Sequence, residues 1–128
     1  MLQCKTFLYN LLSTDATILS LVGTVDHIYF GYPNSFSELP ALAYNEDNQV
    51  ATFWNDNLPQ DAQSSITIDV YTLQDVSTSP LVTAVESALL ANLYTITFSS
   101  DVYDPDLKIQ HRAIKANRKF TADDLDGL

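Results

Sequence analysis

Hydrophobic and polar positions alternate over residues 65–73, and this alternation predicts a strand. Ile66, Ile68 and Val70 occupy every second position, with polar or aromatic residues between them. Such spacing is typical of a strand that buries one face in a core. The opposite face is predicted to be exposed to solvent or only loosely covered by other residues.

The spacing changes to that of a helix at Pro80. Ser79 can accept a hydrogen bond from the first helix amides, and a proline at the start of a helix loses no hydrogen bond. Apolar residues then recur at intervals of three or four, at Leu81, Val82, Val85, Ala88, Leu89 and Leu93. This stripe predicts a helix that packs on the sheet.

Two helices are predicted before the first strand. Residues 2–12 carry an apolar stripe with helical spacing, and residues 15–22 form a second short helix that ends at Gly23. A short strand is predicted at residues 27–30, because turn-forming residues fill the next positions. The chain up to Pro40 is predicted to be a loop.

Two interpretations remain open for residues 41–54. The polar pair Asp47-Asn48 divides this segment, which forms either a hairpin of two strands or one strand with an irregular turn. Residues 55–64 are rich in Asn, Asp and Gln and contain Pro59. They are predicted to form a solvent-facing loop, the most mobile part of the chain.

The chain closes with two further strands. The first covers residues 95–98 and continues irregularly, and the second covers residues 107–120. The apolar positions of the second strand change face between Ile109 and Ile114. Either a bulge near Arg112 or a change in what covers the sheet would explain this shift.

The resulting order of elements is α-α-β-β-β-β-α-β-β. This order predicts an α+β domain, with a mostly antiparallel β-sheet and helices packed on one face. A chain of 128 residues is long enough for one core. We expect a single domain over residues 1–120 and an acidic C-terminal tail over residues 121–128, which frays or forms one loose turn.

The composition narrows the possible partners. A formal net charge of −10 and a pI of 4.1 disfavour general affinity for nucleic acid or for an anionic membrane. The single cysteine, Cys4, cannot form an internal disulfide, and no apolar run indicates a secretory signal or a membrane span. We expect synthesis in a reducing cytoplasm, with Cys4 as a half-buried apolar residue rather than a reactive thiol.

Basic residues are concentrated in the final strand. Five of the six lie there: Lys108, Arg112, Lys115, Arg118 and Lys119. They predict a basic stripe on an acidic body, for which two interpretations are open. The stripe protects an exposed edge strand from aggregation, contacts an acidic surface of a neighbouring subunit, such as Asp123, Asp124 and Asp126, or does both.

Phe53 and Trp54 are further candidate contacts, because they lie beside the polar segment 55–64. A large aromatic pair next to a mobile segment can anchor a partner. Core packing of at least one of the two is the alternative.

No catalytic, cofactor or metal site is predicted. His27 and His111 lie in different elements, and residues 101–106 lack the glycine and the final bidentate acid of a calcium loop. The run 104–106 is instead predicted to be a turn. The three glycines of the chain cannot make a glycine-rich phosphate loop, and no Gly-x-Ser-x-Gly motif is present.

Short motifs are spread over nearly the whole chain: Asp15-Ala16, Leu21-Val22-Gly23, Ile28-Tyr29, Pro40, Asp69-Val70-Tyr71, Ala84-Val85, Leu89, Asp104-Pro105-Asp106 and His111-Arg112. In their order they resemble the tail completion or tail terminator proteins of long-tailed bacteriophages, also called tail-to-head joining proteins. The resemblance implies a non-enzymatic role in virion assembly.

Members of that family form a ring, commonly of six subunits, which caps the tail tube and joins it to the head connector. The implied partners are other copies of the chain, the tail tube protein and the head connector or stopper protein, with no cofactor and no membrane contact. The implied location is the head-tail interface of the virion, after a stage in the host cytoplasm. DNA is expected to pass through an acidic ring without specific binding.

Two other classes of function remain open. One is a small phage-encoded regulator or inhibitor that binds a host protein through Trp54 and its loop. The other is a hydrolase that uses Asp101, Asp104 or His111 with a metal. Capped tail tubes or concentration-dependent oligomers would favour the ring, and metal retention by the purified protein would favour the hydrolase.

Overall fold

The computed structural model describes residues 2–103, 106–126 and 128. The elements in chain order are α1 (Cys4–Thr14), α2 (Ala16–Val22), a 3-10 helix (Val25–His27), β1 (Ile28–Phe30), β2 (Ala41–Asn55), β3 (Leu58–Leu73), α3 (Ser79–Ala91), β4 (Thr95–Asp101), β5 (Ile109–Thr121) and a second 3-10 helix (Asp123–Leu125). Asp104 and Pro105 of the predicted turn lie outside the described residues. Among the helices described, none has the length and apolarity needed to cross a lipid bilayer.

The strands form a sheet in the order β1-β2-β3-β5-β4. β1 runs parallel to β2, and the other neighbouring pairs are antiparallel. The three α-helices contribute to one core cluster on one face of this sheet. The predicted α+β class, with a mostly antiparallel sheet and helices on one face, is confirmed.

The core lies between the helices and the sheet. Ile66, Ile68 and Val70 of β3 are at most 1% exposed, as their alternation predicted. Leu8 of α1 and Leu89 of α3 are fully buried in the same cluster. The apolar side chains that alternate along the strand and those that recur along the helices are therefore buried in one core.

Helix ends follow local capping groups. Asp15 accepts a hydrogen bond from the Ile18 amide at 3.0 Å at the start of α2, and Gly23 ends that helix with a φ of 93°. The predicted capping role of Ser79 is wrong. α3 begins at Ser79 itself, and the Ser77 hydroxyl accepts from the Ser79 amide at 3.1 Å.

α3 ends earlier than its apolar stripe predicted. Its last residue is Ala91, and Leu93 adopts a φ of 70° in the turn that follows. The Tyr94 amide donates to the Leu89 carbonyl at 3.0 Å, which closes the helix. Leu93 is consequently 73% exposed instead of contributing to the core.

Residues 41–55 form one strand. The hairpin interpretation at Asp47-Asn48 is therefore wrong, and the alternative of one irregular strand is confirmed. The pairing of β2 with β3 shifts between Glu46 and Asn48, as in a β-bulge. The Asp47 carboxylate accepts from the Thr67 hydroxyl of β3 at 2.6 Å.

The turn between β2 and β3 lies at Asp56-Asn57. Both residues have a positive φ, of 52° and 64°. Asp and Asn tolerate this conformation, and two such residues make a tight turn that suits twisted antiparallel strands. β3 begins at Leu58, so the predicted mobile loop over residues 55–64 is wrong beyond this turn.

β5 pairs with β3 along its whole length without a register shift. The predicted bulge near Arg112 is therefore wrong, and a shift lies in β4 instead. The apolar positions of β5 change face for the other reason that the sequence left open, a change in what covers the sheet. Tyr32 and Phe36, from the loop before β2, contact the Tyr71 ring and cover one end of the helix-free face.

Candidate functional site

The β2–β3 hairpin projects beyond the rest of the sheet. β1 pairs with residues 42–44 of β2, and β5 ends at Thr121, opposite Asp61. In the part of the chain that the structure describes, no strand pairs with the outer edge of β2 beyond Tyr44. Residues 53–59 therefore form a free end that pairing between β2 and β3 holds together.

Four large apolar side chains are exposed on this hairpin. Val50, Phe53, Trp54 and Leu58 have exposed fractions between 56% and 63%, and we call them the hairpin patch. Core packing of at least one of the two aromatics is wrong, because this end of the hairpin extends past the core. Phe53 and Trp54 are thus available for contact with a partner.

The predicted basic stripe is divided between the two faces of the sheet, because successive side chains of a strand point in opposite directions. Lys115 and Lys119 are exposed on the helix-free face, whereas Arg112 and Arg118 lie on the helix-covered face. Lys108 is exposed in the turn before β5 and has a φ of 53°. β5 lies between β3 and β4, so the edge-strand interpretation is wrong.

Arg112 belongs to a polar network that joins β4 to α3. Its Nε donates to the Ser99 hydroxyl at 3.0 Å, and its terminal nitrogens donate to the Ser99 carbonyl at 3.2 Å and to Asp101 at 3.1 Å. The Ser99 hydroxyl donates to Glu86 of α3 at 2.9 Å. Arg112 lines a polar depression of about 430 Å³, but these donors are already engaged within the chain.

Arg118 is buried, with 8% of the residue exposed. Its guanidinium lies 4.8 Å from the centre of the Phe7 ring and 4.4 Å from that of Phe120. A terminal nitrogen is 3.8 Å from the Asp124 carboxylate. Arg118 therefore joins α1 and β5 to the C-terminal 3-10 helix.

The acidic candidates lie in or beside that 3-10 helix. Asp124 accepts from the Thr121 amide at 2.8 Å, so this carboxylate holds the end of β5 within the chain. Asp123 and Asp126 are exposed. These two remain candidates for a contact with a neighbouring subunit.

The β4 edge of the sheet carries a second exposed apolar surface. Phe98 is 48% exposed and pairs with Lys115, which places both side chains on one face. Thr95 begins β4 and pairs with Asn117, so Leu93 and Lys119 each lie two residues along the chain from this pair. We call Leu93, Phe98, Lys115 and Lys119 the β4 patch. The sequence indicated its lysines, but its apolar members have the spacing of buried positions.

The two histidines lie in different regions. His111 Nε2 is 2.7 Å from Asp69 Oδ1, and its ring stacks on that of Tyr71 with centroids 4.3 Å apart. Burial, and then the Asp69 carboxylate, raise the pKa of Tyr71. His27 Nδ1 lies 2.8 Å from the Val22 carbonyl oxygen. Across residues 2–103, 106–126 and 128, no group of three or more His, Cys, Asp and Glu side chains is placed to hold a metal ion.

Cys4 is fully buried rather than half-buried. Burial raises the pKa of its thiol to about 11, so the thiol is protonated at neutral pH. A buried, protonated thiol packs as a small apolar group and reacts slowly.

Comparison with known proteins identifies a shared fold. No protein family matches the sequence, and no curated protein matches it. Among solved structures, the chain is similar to a chain of the virion of a native gene transfer agent particle, with a TM-score of 0.61 and 16% sequence identity. The match covers 88% of this chain and 90% of that chain. This protein therefore shares its fold, over nearly its whole length, with a chain of a gene transfer agent virion.

Proposed function

We propose that this chain is a non-enzymatic structural protein of a virion, in which it forms a ring that caps the tail tube and joins the tail to the head connector. The observation that carries the proposal is the fold shared with a chain of a gene transfer agent virion, over 88% of this chain. The resemblance of its sequence motifs to tail terminator proteins supports the same place in a particle.

The exposed surfaces support assembly into a ring. The hairpin patch and the β4 patch lie on different edges of the sheet, so they can meet when copies associate head to tail. Head-to-tail contacts close into a ring when the rotation between copies divides a full turn. In this proposal the ring has six subunits, the number that the family resemblance implies.

The charge of the chain supports the passage of DNA through such a ring. The formal net charge is −10, and an acidic lining repels phosphate instead of binding it. DNA would then pass without specific binding. The proposed partners are other copies of the chain, the tail tube protein and the head connector or stopper protein, and the proposed location is the head-tail interface.

Deletion of the gene from the phage, prophage or gene transfer agent that encodes it tests the proposal. We expect tail tubes of uncontrolled length and heads without tails, both visible by electron microscopy. Complementation with the wild-type gene is expected to restore joined particles. Particles with normal joined tails after the deletion would overturn the proposal.

Complementation with the double variant Lys115→Glu, Lys119→Glu tests the role of the exposed basic residues. Arg112 is unsuitable for this purpose, because its network joins β4 to α3. Both lysines are exposed, so the double variant is expected to keep the stability of the wild type while it fails to restore joined particles. Joined particles at the wild-type yield would show that these lysines have no part in assembly.

The exposure of Trp54 supports a second candidate, a small regulator that binds a host protein. A regulator is expected to be absent from purified particles, whereas a ring protein stays in them. Mass spectrometry of purified particles distinguishes the two.

A further inference from the structure

We infer that the hairpin patch of one copy binds the β4 patch of a second copy, with apolar side chains packed together and acidic hairpin residues facing the two lysines. This inference rests on the proposed ring and names the surface that builds it. Three observations support it: the positions of the patches, their charges and the backbone of Leu93.

The positions of the two patches suit a cyclic assembly. The hairpin projects at the end of the sheet where β5 terminates, and β4 begins toward the same end, since Thr95 pairs with Asn117. Thr95 lies at the level of Ser65 and the hairpin end lies beyond it, so a rotation about an axis inclined to the strands brings the hairpin of one copy to the β4 edge of the next. This operation closes a ring.

The charges of the two patches are opposite. No lysine or arginine occurs between Lys5 and Lys108, so the charged residues of the hairpin are acidic, and two of them, Asp56 and Asp61, lie next to the hairpin patch. The β4 patch instead carries two exposed lysines. Two hairpins repel each other, as do two β4 patches, whereas the unlike pair attracts. Charge therefore favours a head-to-tail contact with a second copy over a twofold contact.

Leu93 supplies the most specific observation. Its φ is 70° and its side chain is largely solvent-exposed, with 73% of the residue accessible. Glycine adopts this helix-ending conformation without steric cost, whereas leucine does not. Because the side chain is mostly exposed, its contacts within its own chain offset little of this steric cost. We therefore assign the Leu93 side chain to the contact between copies.

Directed disulfide cross-linking tests the inference. Asn55→Cys places a thiol at the hairpin end, and Thr95→Cys places one at the β4 edge, both at exposed positions. The native Cys4 is buried and does not compete. The two variants are purified separately, mixed at millimolar chain concentration and oxidised. We expect a disulfide-linked dimer that contains one chain of each variant, while each variant alone stays unlinked.

Asn10→Cys is the matched control, because Asn10 is exposed on α1, away from both patches. It is expected not to link to Asn55→Cys. The inference is overturned if no mixed dimer of Asn55→Cys and Thr95→Cys forms, if Asn55→Cys links equally well to itself, or if the control links at the same yield.

Tryptophan fluorescence gives a second measurement, because Trp54 is the single tryptophan of the chain and lies in the hairpin patch. Its emission is expected to shift to shorter wavelength as the chain concentration rises. Leu93→Gly is expected to weaken this association about tenfold while the fold stays intact. Val25→Ser, at a 41% exposed position outside both patches, is expected to leave it unchanged. Equal association of wild type and Leu93→Gly would overturn the inference.

Failure of this contact and failure of the proposed function give different results. If deletion abolishes joined particles but no mixed disulfide forms, the chain acts at the head-tail interface through another surface. If the disulfide forms but particles without the gene are normal, the copies associate and the proposed place in the particle is wrong.

Discussion

Leu93 occupies a backbone conformation that favours glycine, with a φ of 70° after the last turn of α3. Leu93→Gly is expected to raise the free energy of unfolding by about 0.5 to 1 kcal/mol, because it removes a steric cost. Urea denaturation measures this change. The matched control is Leu90→Gly, at an exposed position within α3, which is expected to lower the same free energy by about 1 kcal/mol. Equal decreases in the free energy of unfolding of the two variants would contradict the steric argument.

The basic residues show how far a sequence predicts single side chains. Arg112 and Arg118 are an even number of residues from Ile114, so the alternation of a strand already places them on the core side. Their partners could not be predicted. Ser99 and Phe7 are distant in the sequence and meet these arginines only through the sheet order and the packing of α1.

Cys4 is expected to report opening of the core. Its thiol is fully buried, so a thiol reagent should label it slowly in the folded chain and rapidly in urea. Burial raises its pKa from 9.0 to about 11, so the unfolded chain ionises first as pH rises. The stability linked to this thiol is therefore complete below pH 9.0 and is lost towards pH 11. Rapid labelling of the folded chain at neutral pH would contradict this account.

At the scale of elements, the same dipeptide has two different structures. Asp47-Asn48 lies in a bulge inside β2, whereas Asp56-Asn57 forms the turn of the hairpin. Local sequence cannot distinguish these outcomes. A turn at Asp56-Asn57 lets β2 pair with β3 from Ala41 to Asn55, whereas a turn at Asp47-Asn48 would leave β3 without this long partner. Pairing between residues that are distant in the sequence determines which of the two Asp-Asn dipeptides forms the turn.

Exposed apolar residues in strands were the other feature that could not be predicted. Val50 and Phe98 stand in alternating patterns like those of buried residues. Whether such a residue is buried depends on which part of the sheet the helices cover. Periodicity therefore predicted which residues of the strands are buried in the core, but it did not predict which apolar residues of the hairpin patch and the β4 patch are exposed.

The network of Arg112 is expected to hold the edge strand β4 to α3. Arg112→Ala should lower the free energy of unfolding by about 1 to 2 kcal/mol, because Ser99 and Asp101 lose their donors. Lys115→Ala is the matched control, an exposed basic residue on the other face of the same strand, with an expected change within about 0.5 kcal/mol. Chemical denaturation of both variants measures these values. Equal stability of the two variants would contradict the network.

At the scale of the whole molecule, the α+β class was predictable because strand and helix periods are clear in residues 65–93. The distribution of charge was predictable in part. The acidic body follows from a net charge of −10, but the separation of the exposed lysines from the arginines, which lie on the helix-covered face, requires the packed sheet. The proposed assembly surfaces depend on that separation, so they can be identified only in the folded molecule and not from any one motif.

Cryo-electron microscopy of intact particles from the phage or gene transfer agent proposed to encode the chain is the most direct measurement of its proposed role. The account predicts a ring of copies of this chain between the last layer of the tail tube and the head connector, with each hairpin against the β4 edge of its neighbour. Particles with joined heads and tails that contain no copy of the chain at this junction would contradict it.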